Sequence, residues 1–276
     1  MKSIVIIITH NSSSHISKCL KSLKEHADFC DVCVIDNAST DETLELLEKY
    51  SNKITIIPNS MNVGFAKAVN QAIRISKGYD WYILLNPDTE ITENSISTLI
   101  SKKYSYDVRG GLMYKKDKSI HNSHVRFPDL LILLFDMTNL RKLFINNIWH
   151  RKFYYLDEKI ETKKVDAVSG GFMAINSEIV KRNIEFDEEY FMYLEDIQFC
   201  KDISSFGYTT GFIFESRIQH TGGGSSSNRH RINYNAWSDS RRKYALKNFR
   251  GIEKIIAVSS FLIDDYISSL WLRLKK

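Results

Sequence analysis

The sequence predicts an α/β fold: a Rossmann-like, mainly parallel central sheet flanked by helices, with a helical extension at the C-terminus. Three observations carry that expectation. Over the first hundred residues, short and wholly apolar runs alternate with helix-patterned stretches, the rhythm of parallel strands joined by crossover helices. Each run closes on polar residues, where open α/β sheets bind their ligands. The 276 residues are 43% apolar and 12% aromatic, ample for a packed core around such a sheet.

The first run, SIVIIIT at 3–9, ends at Thr9, His10 and Asn11. Its apolar part is far shorter than the ~20 residues a bilayer crossing needs, and no small-residue cleavage site follows, so it reads as a buried first strand. A helix over about 14–26 leads to DVCVID at 31–36, which closes on Asp36 and Asn37. In the next loop, IDNASTDET, Thr40 or Asp41 suits a helix N-cap, and Asp41 and Glu42 suit the positive end of a helix over 41–50. Capping leaves Asp36 and Asn37 unexplained, and their place at a strand end favours ligand contact. KITIIP at 53–58 opens onto Asn59–Gly64 and a helix over 64–77; WYILLN at 81–86 opens onto Asn86 and Asp88 and a helix over 92–102. Four strand ends thus point polar groups at one crevice.

The rhythm breaks after residue 105. Residues 113–165 are rich in His, Lys, Arg and aromatics, and FPDLLILLFDMTNLRKLFINNIWHRKFYYL has mixed helical spacing. The segment either covers the sheet as core or lies amphipathically against lipid. In VDAVSGGFMAINSEIV, Gly170 and Gly171 interrupt two apolar segments, marking a bend or a close backbone approach. A helix from about Leu194 to Ser205 begins with Glu195 and Asp196. Acids in a first turn suit the helix dipole. The adjacent FDEEYFMYL would also desolvate them, and desolvation raises a carboxyl pKa toward general-base usefulness. His220 ends another strand-like run before GGGSSS, as a structural group or as a metal ligand beneath a closing lid. Arg229, His230 and Arg231 then bring positive charge to a phosphate or form a solvated loop.

A net charge of +5 with dispersed Lys and Arg fits an anionic ligand or a membrane surface and argues against nucleic acid as a partner. Among the four cysteines, Cys19, Cys30, Cys33 and Cys200, only Cys30 and Cys33 are close. No second pair completes a zinc site, so they read as reduced, buried thiols of a cytosolic protein.

The segments IIITHN, VIDNASTDET, NVGFAKAVNQAI, LLNPDT, SGGFMAI, FMYLEDIQFC and IQHTGGGS, in this order over about residues 3–225, resemble the family 2 inverting glycosyltransferases with the GT-A fold. The likeness is greatest to the bacterial rhamnosyltransferase-like branch that builds cell-surface polysaccharides of the O-antigen and capsule type. It implies a nucleotide-sugar-binding half at 1–105, an acceptor-binding and catalytic half of the same domain at 106–235, and a helical segment at 236–276. By the same likeness Thr9, Asn11, Asp36 and Asn37 hold the nucleoside, and Asn62, Gly64 and Asn70 line the donor site. Asn86-Pro87-Asp88 takes the place of the family's Asp-x-Asp motif, with Asn86 where the first acid stands. Asp88 and His220 then bind a divalent metal, Mg²⁺ or Mn²⁺, while Arg229 and Arg231 meet the donor phosphates. Asp196 is the general base, Glu195 its partner on the acceptor side, and Gly170 and Gly171 shape the acceptor pocket.

The implied reaction is metal-dependent transfer of L-rhamnose from dTDP-L-rhamnose to a lipid-linked oligosaccharide. The alternatives are another donor, such as a UDP-hexose or UDP-galactofuranose, or a non-catalytic glycan- or nucleotide-binding subunit. A sugar-nucleotide pyrophosphorylase is disfavoured, since such enzymes resemble one another in a glycine-rich loop after the first strand and THNSSSH has no glycine. Near the C-terminus, Leu262, Tyr266, Leu270 and Leu274 recur every fourth position, and Trp271, Lys275 and Lys276 suit a lipid headgroup layer. A helix packing on the domain, or on a second copy in a homo-oligomer, has the same pattern. The expected location is the cytoplasm, attached peripherally to the inner face of the plasma membrane.

Overall fold

The computed structural model describes residues 1–145, 147–221 and 227–274, the side chains of 227–232 and 271–274 excepted. Its first half follows the expected alternation: β1 (Ser3–Thr9), α1 (Ile16–His26), β2 (Asp31–Asp36), α2 (Thr43–Glu48), β3 (Thr55–Pro58), α3 (Phe65–Ile75) and β4 (Trp81–Leu85). These strands pair in parallel in the order β3-β2-β1-β4. Side chains alternate across a strand, and both faces of β1 are covered. Ile4 and Ile6 belong to the core built with Ala68, Val69 and Ala72 of α3, and Val5 and Ile7 to the core built with Ile16, Cys19 and Leu20 of α1. Each buried Ile, Val or Leu among them stabilises the fold by about 1.5–3 kcal/mol.

The chain continues through β5 (Thr89–Ile91), α4 (Ser95–Leu99), β6 (Val108–Tyr114), β7 (Ile120–His121), β8 (His124–Val125), α5 (Leu130–Asp136), α6 (Leu140–Leu143) and α7 (Ile148–Phe153). It ends with β9 (Lys163–Lys164), β10 (Ala167–Val168), β11 (Phe172–Asn176), α8 (Ser177–Lys181), α9 (Glu195–Ser205), β12 (Thr210–His220), α10 (Ser227–Asn248) and α11 (Gly251–Leu274). The main sheet runs β3-β2-β1-β4-β11-β6-β12-β5. β6 and β12 are parallel to each other, whereas β11 runs against both β4 and β6, and β5 runs against β12. The expected mainly parallel sheet therefore holds, with β11 and β5 reversed.

The segment 113–165 contributes to the core, the first of the two roles its pattern allows, and also leaves apolar side chains uncovered. α5 buries Ile132 and Leu133 in the core, while Leu140, Leu143, Phe144, Ile145 and Ile148 stay exposed. α10 begins at Ser227, ahead of the expected boundary at 236, and is clamped to α11 by buried Arg241, which pairs with Asp264 and Asp265 and donates to the Met137 carbonyl. Leu262, Tyr266 and Leu270 of α11 are exposed. Trp271, Leu274, Lys275 and Lys276 lie outside the described side chains. Among the described residues no helix is long and apolar enough to cross a membrane. All four cysteines are buried and unbridged, and burial pushes the Cys19 and Cys200 thiols up to about 12, so neither is a nucleophile.

Candidate active site

The ends of β1, β2 and β3 form a tied floor. Thr9, Asp36 and Asn37 are buried. The Thr9 hydroxyl and the Ser39 backbone N–H each donate to the Asp36 carboxylate over 2.9 Å. Asn37 donates to the Gly64 carbonyl (3.1 Å) and accepts from Asn59 (2.9 Å). At the lip, Asn11 sits in the left-handed region (φ 52°) and its side-chain oxygen accepts the Thr40 N–H over 2.7 Å. Of the residues expected to hold a nucleoside, Asn11 is therefore the one with exposed surface, and the other three shape the floor beneath it.

The loop before α3 closes on the far wall. Asn62 accepts the Gly64 N–H over 3.0 Å, and the Phe65 N–H donates to the Phe191 carbonyl over 2.8 Å. Gly64 has φ +88°, and a Cβ there would lie 2.5 Å from that carbonyl oxygen, so the approach requires glycine. Asn70 corrects an expectation. It is fully buried, its amide donating to the Phe186 carbonyl (2.8 Å) and its oxygen accepting the Phe186 N–H (3.0 Å), so it braces α3 against that loop and does not line the donor site.

Asp88 sits in the turn after β4, and β5 leaves that turn antiparallel to β12 with Thr89 opposite His220. Both the N–H (2.9 Å) and the hydroxyl (2.7 Å) of Thr221 donate to the Asp88 carbonyl. Pairing of distant strands thus brings His220 Nε2 to 3.2 Å from Asp88 Oδ1. Burial pushes the Asp88 carboxyl up, but the hydrogen bond and electrostatic pull of the His220 ring outweigh it and hold the group below the ordinary carboxylate range. Behind His220 stands a histidine the sequence reading did not single out: His121 Nδ1 lies 3.0 Å from His220 Nδ1, with ring centroids 4.8 Å apart. A two-residue strand carries no periodic signal, so only the residue type hinted at it. Among the described residues no cluster of three or more His, Cys, Asp or Glu forms a complete metal cage. The Asp88–His220 pair nonetheless fits a divalent cation that draws its other ligands from phosphates and water, since neighbouring ligands of an octahedral ion at ~2.1 Å stand about 3 Å apart.

Asp196 and Glu195 open α9 after two consecutive non-glycine residues in the left-handed region, Tyr193 (φ 74°) and Leu194 (φ 65°), a conformation held only where surroundings enforce it. The Ser240 hydroxyl donates to the Met192 carbonyl over 2.8 Å, and the Trp237 ring meets Tyr193 edge-on, so α10 supplies that bracing. Asp196 accepts the N–H of Gly170 (3.0 Å) and of Ile197 (2.8 Å) and stays partly open. Glu195 is buried with Oε2 unpartnered. Burial raises both carboxyls, and the Asp196 charge raises Glu195 further. Gly170 and Gly171 fill the space between these acids and the Asp88 turn: the Asn86 N–H donates to the Gly171 carbonyl over 3.0 Å, and a Cβ on Gly171 would lie 2.9 Å from Asn86 Nδ2. The side chains of Arg229 and Arg231 and the glycine-rich residues 222–226 lie outside the described residues.

The family model described as "Glycosyl transferase family 2" matches residues 4–184. The chain is 24% identical over 236 residues to an N-acetylglucosaminyl-diphospho-decaprenol L-rhamnosyltransferase of Mycobacterium tuberculosis (strain CDC 1551 / Oshkosh), covering 78% of this chain and 75% of that protein. It is 28% identical over 221 residues to the rhamnosyltransferase WbbL of Escherichia coli (strain K12), covering 76% and 79%. Among solved structures it is similar to the mannosyltransferase PcManGT of Pyrobaculum calidifontis in complex with GDP-Man and Mn²⁺. There the TM-score is 0.59 at 14% identity, covering 98% of this chain and 75% of that one, a likeness of fold.

Proposed function

The chain belongs to glycosyl transferase family 2 and has the GT-A fold, and from that premise we propose that it moves L-rhamnose from dTDP-L-rhamnose to a lipid-linked oligosaccharide with inversion at the anomeric carbon. Likeness to two rhamnosyltransferases supports the sugar, and the polyprenyl diphosphate in the name of one supports the acceptor class.

The single observation that carries the chemistry is the opposition of two acidic sites across the Gly170–Gly171 step. On one side Asp88 and His220 form the donor-phosphate end. Asp88 and His220 would hold the Mg²⁺ or Mn²⁺ ion, which when bound neutralises charge on the departing nucleoside diphosphate. On the other side Asp196, raised toward useful basicity and partly open, takes the proton from an acceptor hydroxyl as that oxygen attacks the anomeric carbon. The C–O bond to the diphosphate breaks as the new one forms on the opposite face, so no covalent nucleophile is needed. Glu195 meets the acceptor from the same helix turn, and Asn11 and Ser39 meet the nucleoside at the open lip.

The exposed apolar residues of 140–148 and of α11 support peripheral contact with the cytoplasmic face of a membrane, where a lipid-linked acceptor resides. A thermal-shift screen of dTDP-, UDP- and GDP-sugars with and without Mn²⁺ tests the donor, because a ligand that binds only the native state raises its melting temperature. Stabilisation by dTDP-L-rhamnose with metal, followed by transfer to a lipid-linked acceptor, is the expected result. Preference for a UDP-sugar shifts the donor to a hexose or galactofuranose, and binding without transfer marks a non-catalytic subunit.

A further inference from the structure

We infer that His121 is a positioning residue that decides which nitrogen of His220 carries the ring proton, and so whether the Nε2 facing Asp88 is free to bind a cation, an inference that rests on the reading of Asp88 and His220 as the holders of a divalent cation. The three side chains form one chain of contacts. His220 Nε2 is 3.2 Å from Asp88 Oδ1, and His220 Nδ1 is 3.0 Å from His121 Nδ1.

A neutral imidazole that offers its Nε2 lone pair to a cation carries its proton on Nδ1, and that proton needs an acceptor. His121 Nδ1 stands where the acceptor must be. With no cation the roles reverse: His220 Nε2–H donates to Asp88, and His121 Nδ1–H donates to His220 Nδ1. Each arrangement carries one proton on each ring. Passing between them moves one proton across the Nδ1–Nδ1 contact and another through solvent from His220 Nε2 to His121 Nε2, with no change in net charge. A backbone carbonyl in this place would serve only the first arrangement. A second imidazole serves both, as a site that fills and empties with each donor requires.

The scaffold places His121 independently of any ligand. β7 pairs with β6 in a short hairpin, Met113 opposite His121, whose turn is closed by the Lys115 N–H donating to the Ser119 carbonyl (2.8 Å) and the Ser119 N–H donating to Asp117 (2.9 Å). β6 is bordered on its other edge by β12, the strand that ends in His220. Both histidines thus ride on β6, one on each side.

The test is Mn²⁺ binding by electron paramagnetic resonance in the presence of dTDP or UDP, on wild type and three folded variants checked by thermal melting. His121→Ala and His121→Phe should each weaken Mn²⁺ about 10- to 100-fold, the range for losing the group that orients a metal-bound histidine. His121→Asn, whose amide can donate or accept near the place of Nδ1, should stay within about threefold of wild type. Loss in Ala with retention in Phe would make His121 a packing residue and overturn the inference, as would equal affinity in all four proteins. If wild type binds nucleotide but no Mn²⁺, the metal reading itself falls and takes the inference with it, a result distinct from the other two.

Discussion

Gly170 donates its backbone N–H to Asp196 over 3.0 Å, while the carbonyl of its neighbour Gly171 accepts the N–H of Asn86 over 3.0 Å. One peptide step therefore fixes the spacing between the proposed base and the donor-phosphate turn through backbone, which is stiffer than any pair of long side chains. A Cβ on Gly171 would sit 2.9 Å from Asn86 Nδ2, close enough to push that amide aside but touching only the end of a side chain. Gly171→Ala should cost at most about 1 kcal/mol of stability yet lower kcat by about 10-fold or more, because small misplacements of reacting groups are costly. Melting curves and initial rates separate the two effects. An unchanged kcat would show that the step does not set the spacing.

Removing the base has a sharper signature. Asp196→Asn should lower kcat by about 10²- to 10⁴-fold while sugar-nucleotide affinity with metal stays within about twofold. In wild type, burial raises the Asp196 and Glu195 carboxyls, and the base works only when deprotonated. The rate should therefore be lost as pH falls through a limb lying above the ordinary carboxylate value of about 4. A limb at that ordinary value, or full transfer by the Asn variant, removes Asp196 from the role.

Glu195 offers a stability test with the opposite sign from a typical salt-bridged acid. Its folded-state pKa is raised by burial and by Asp196, so its contribution is fully present below the unfolded pKa and is lost as pH rises through the folded one. Glu195→Gln replaces the neutral acid with a near-isostere that cannot ionise. The variant should melt close to wild type at pH below the ordinary glutamate value of about 4.3 and increasingly above it as pH rises from there. A melting difference that stays constant with pH would mean that Glu195 is not held neutral.

The donor-phosphate end was legible in part. LLNPDT announces Asp88 because a strand end and a turn are local features, and IQHTGGGS announces His220 for the same reason. What brings them to 3.2 Å is the antiparallel pairing of β5 with β12, a long-range fact. FMAIN reads in the sequence only as an apolar segment after a glycine bend, and a uniformly buried run reads the same in either direction, so the reversal of β11 was hidden. Asn70 misled because a polar residue on a helix beside a binding loop looks the same whether it faces the ligand or braces a neighbouring loop. His121 belongs to a hairpin too short to carry a pattern.

Asp88→Ala should abolish the metal-dependent part of nucleotide binding and leave a weaker, metal-independent remainder from Asn11 and Ser39 at the lip. Calorimetric titration of dTDP with and without Mn²⁺ reads both parts. If the variant keeps the same metal enhancement as wild type, Asp88 is not on the cation.

Leu143 is 75% exposed, Ile145 78% and Ile148 66%, three large apolar side chains within six residues. They lie beside Lys142 and beside Arg141, Arg151 and Lys152, which pair with Asp136, Asp157 and Asp129. Asn139 ties the segment to α11 through Asp264 (2.8 Å) and Ser268 (2.7 Å), so the exposed Ile263, Tyr266 and Ile267 belong to a neighbouring surface. Apolar side chains flanked by cations suit an anionic bilayer, with each inserted residue contributing about 1.5–3 kcal/mol and the basic residues adding a salt-sensitive attraction. Leu143→Glu with Ile145→Glu should therefore reduce co-sedimentation with phosphatidylglycerol vesicles at least 10-fold, leave the melting temperature nearly unchanged because both side chains already face water, and spare transfer to a short soluble acceptor. Wild-type binding should weaken as salt rises. Vesicle binding that survives the double substitution would move the contact elsewhere on the chain, and failure of the wild type to bind vesicles at all would make this apolar surface a packing face for another protein surface.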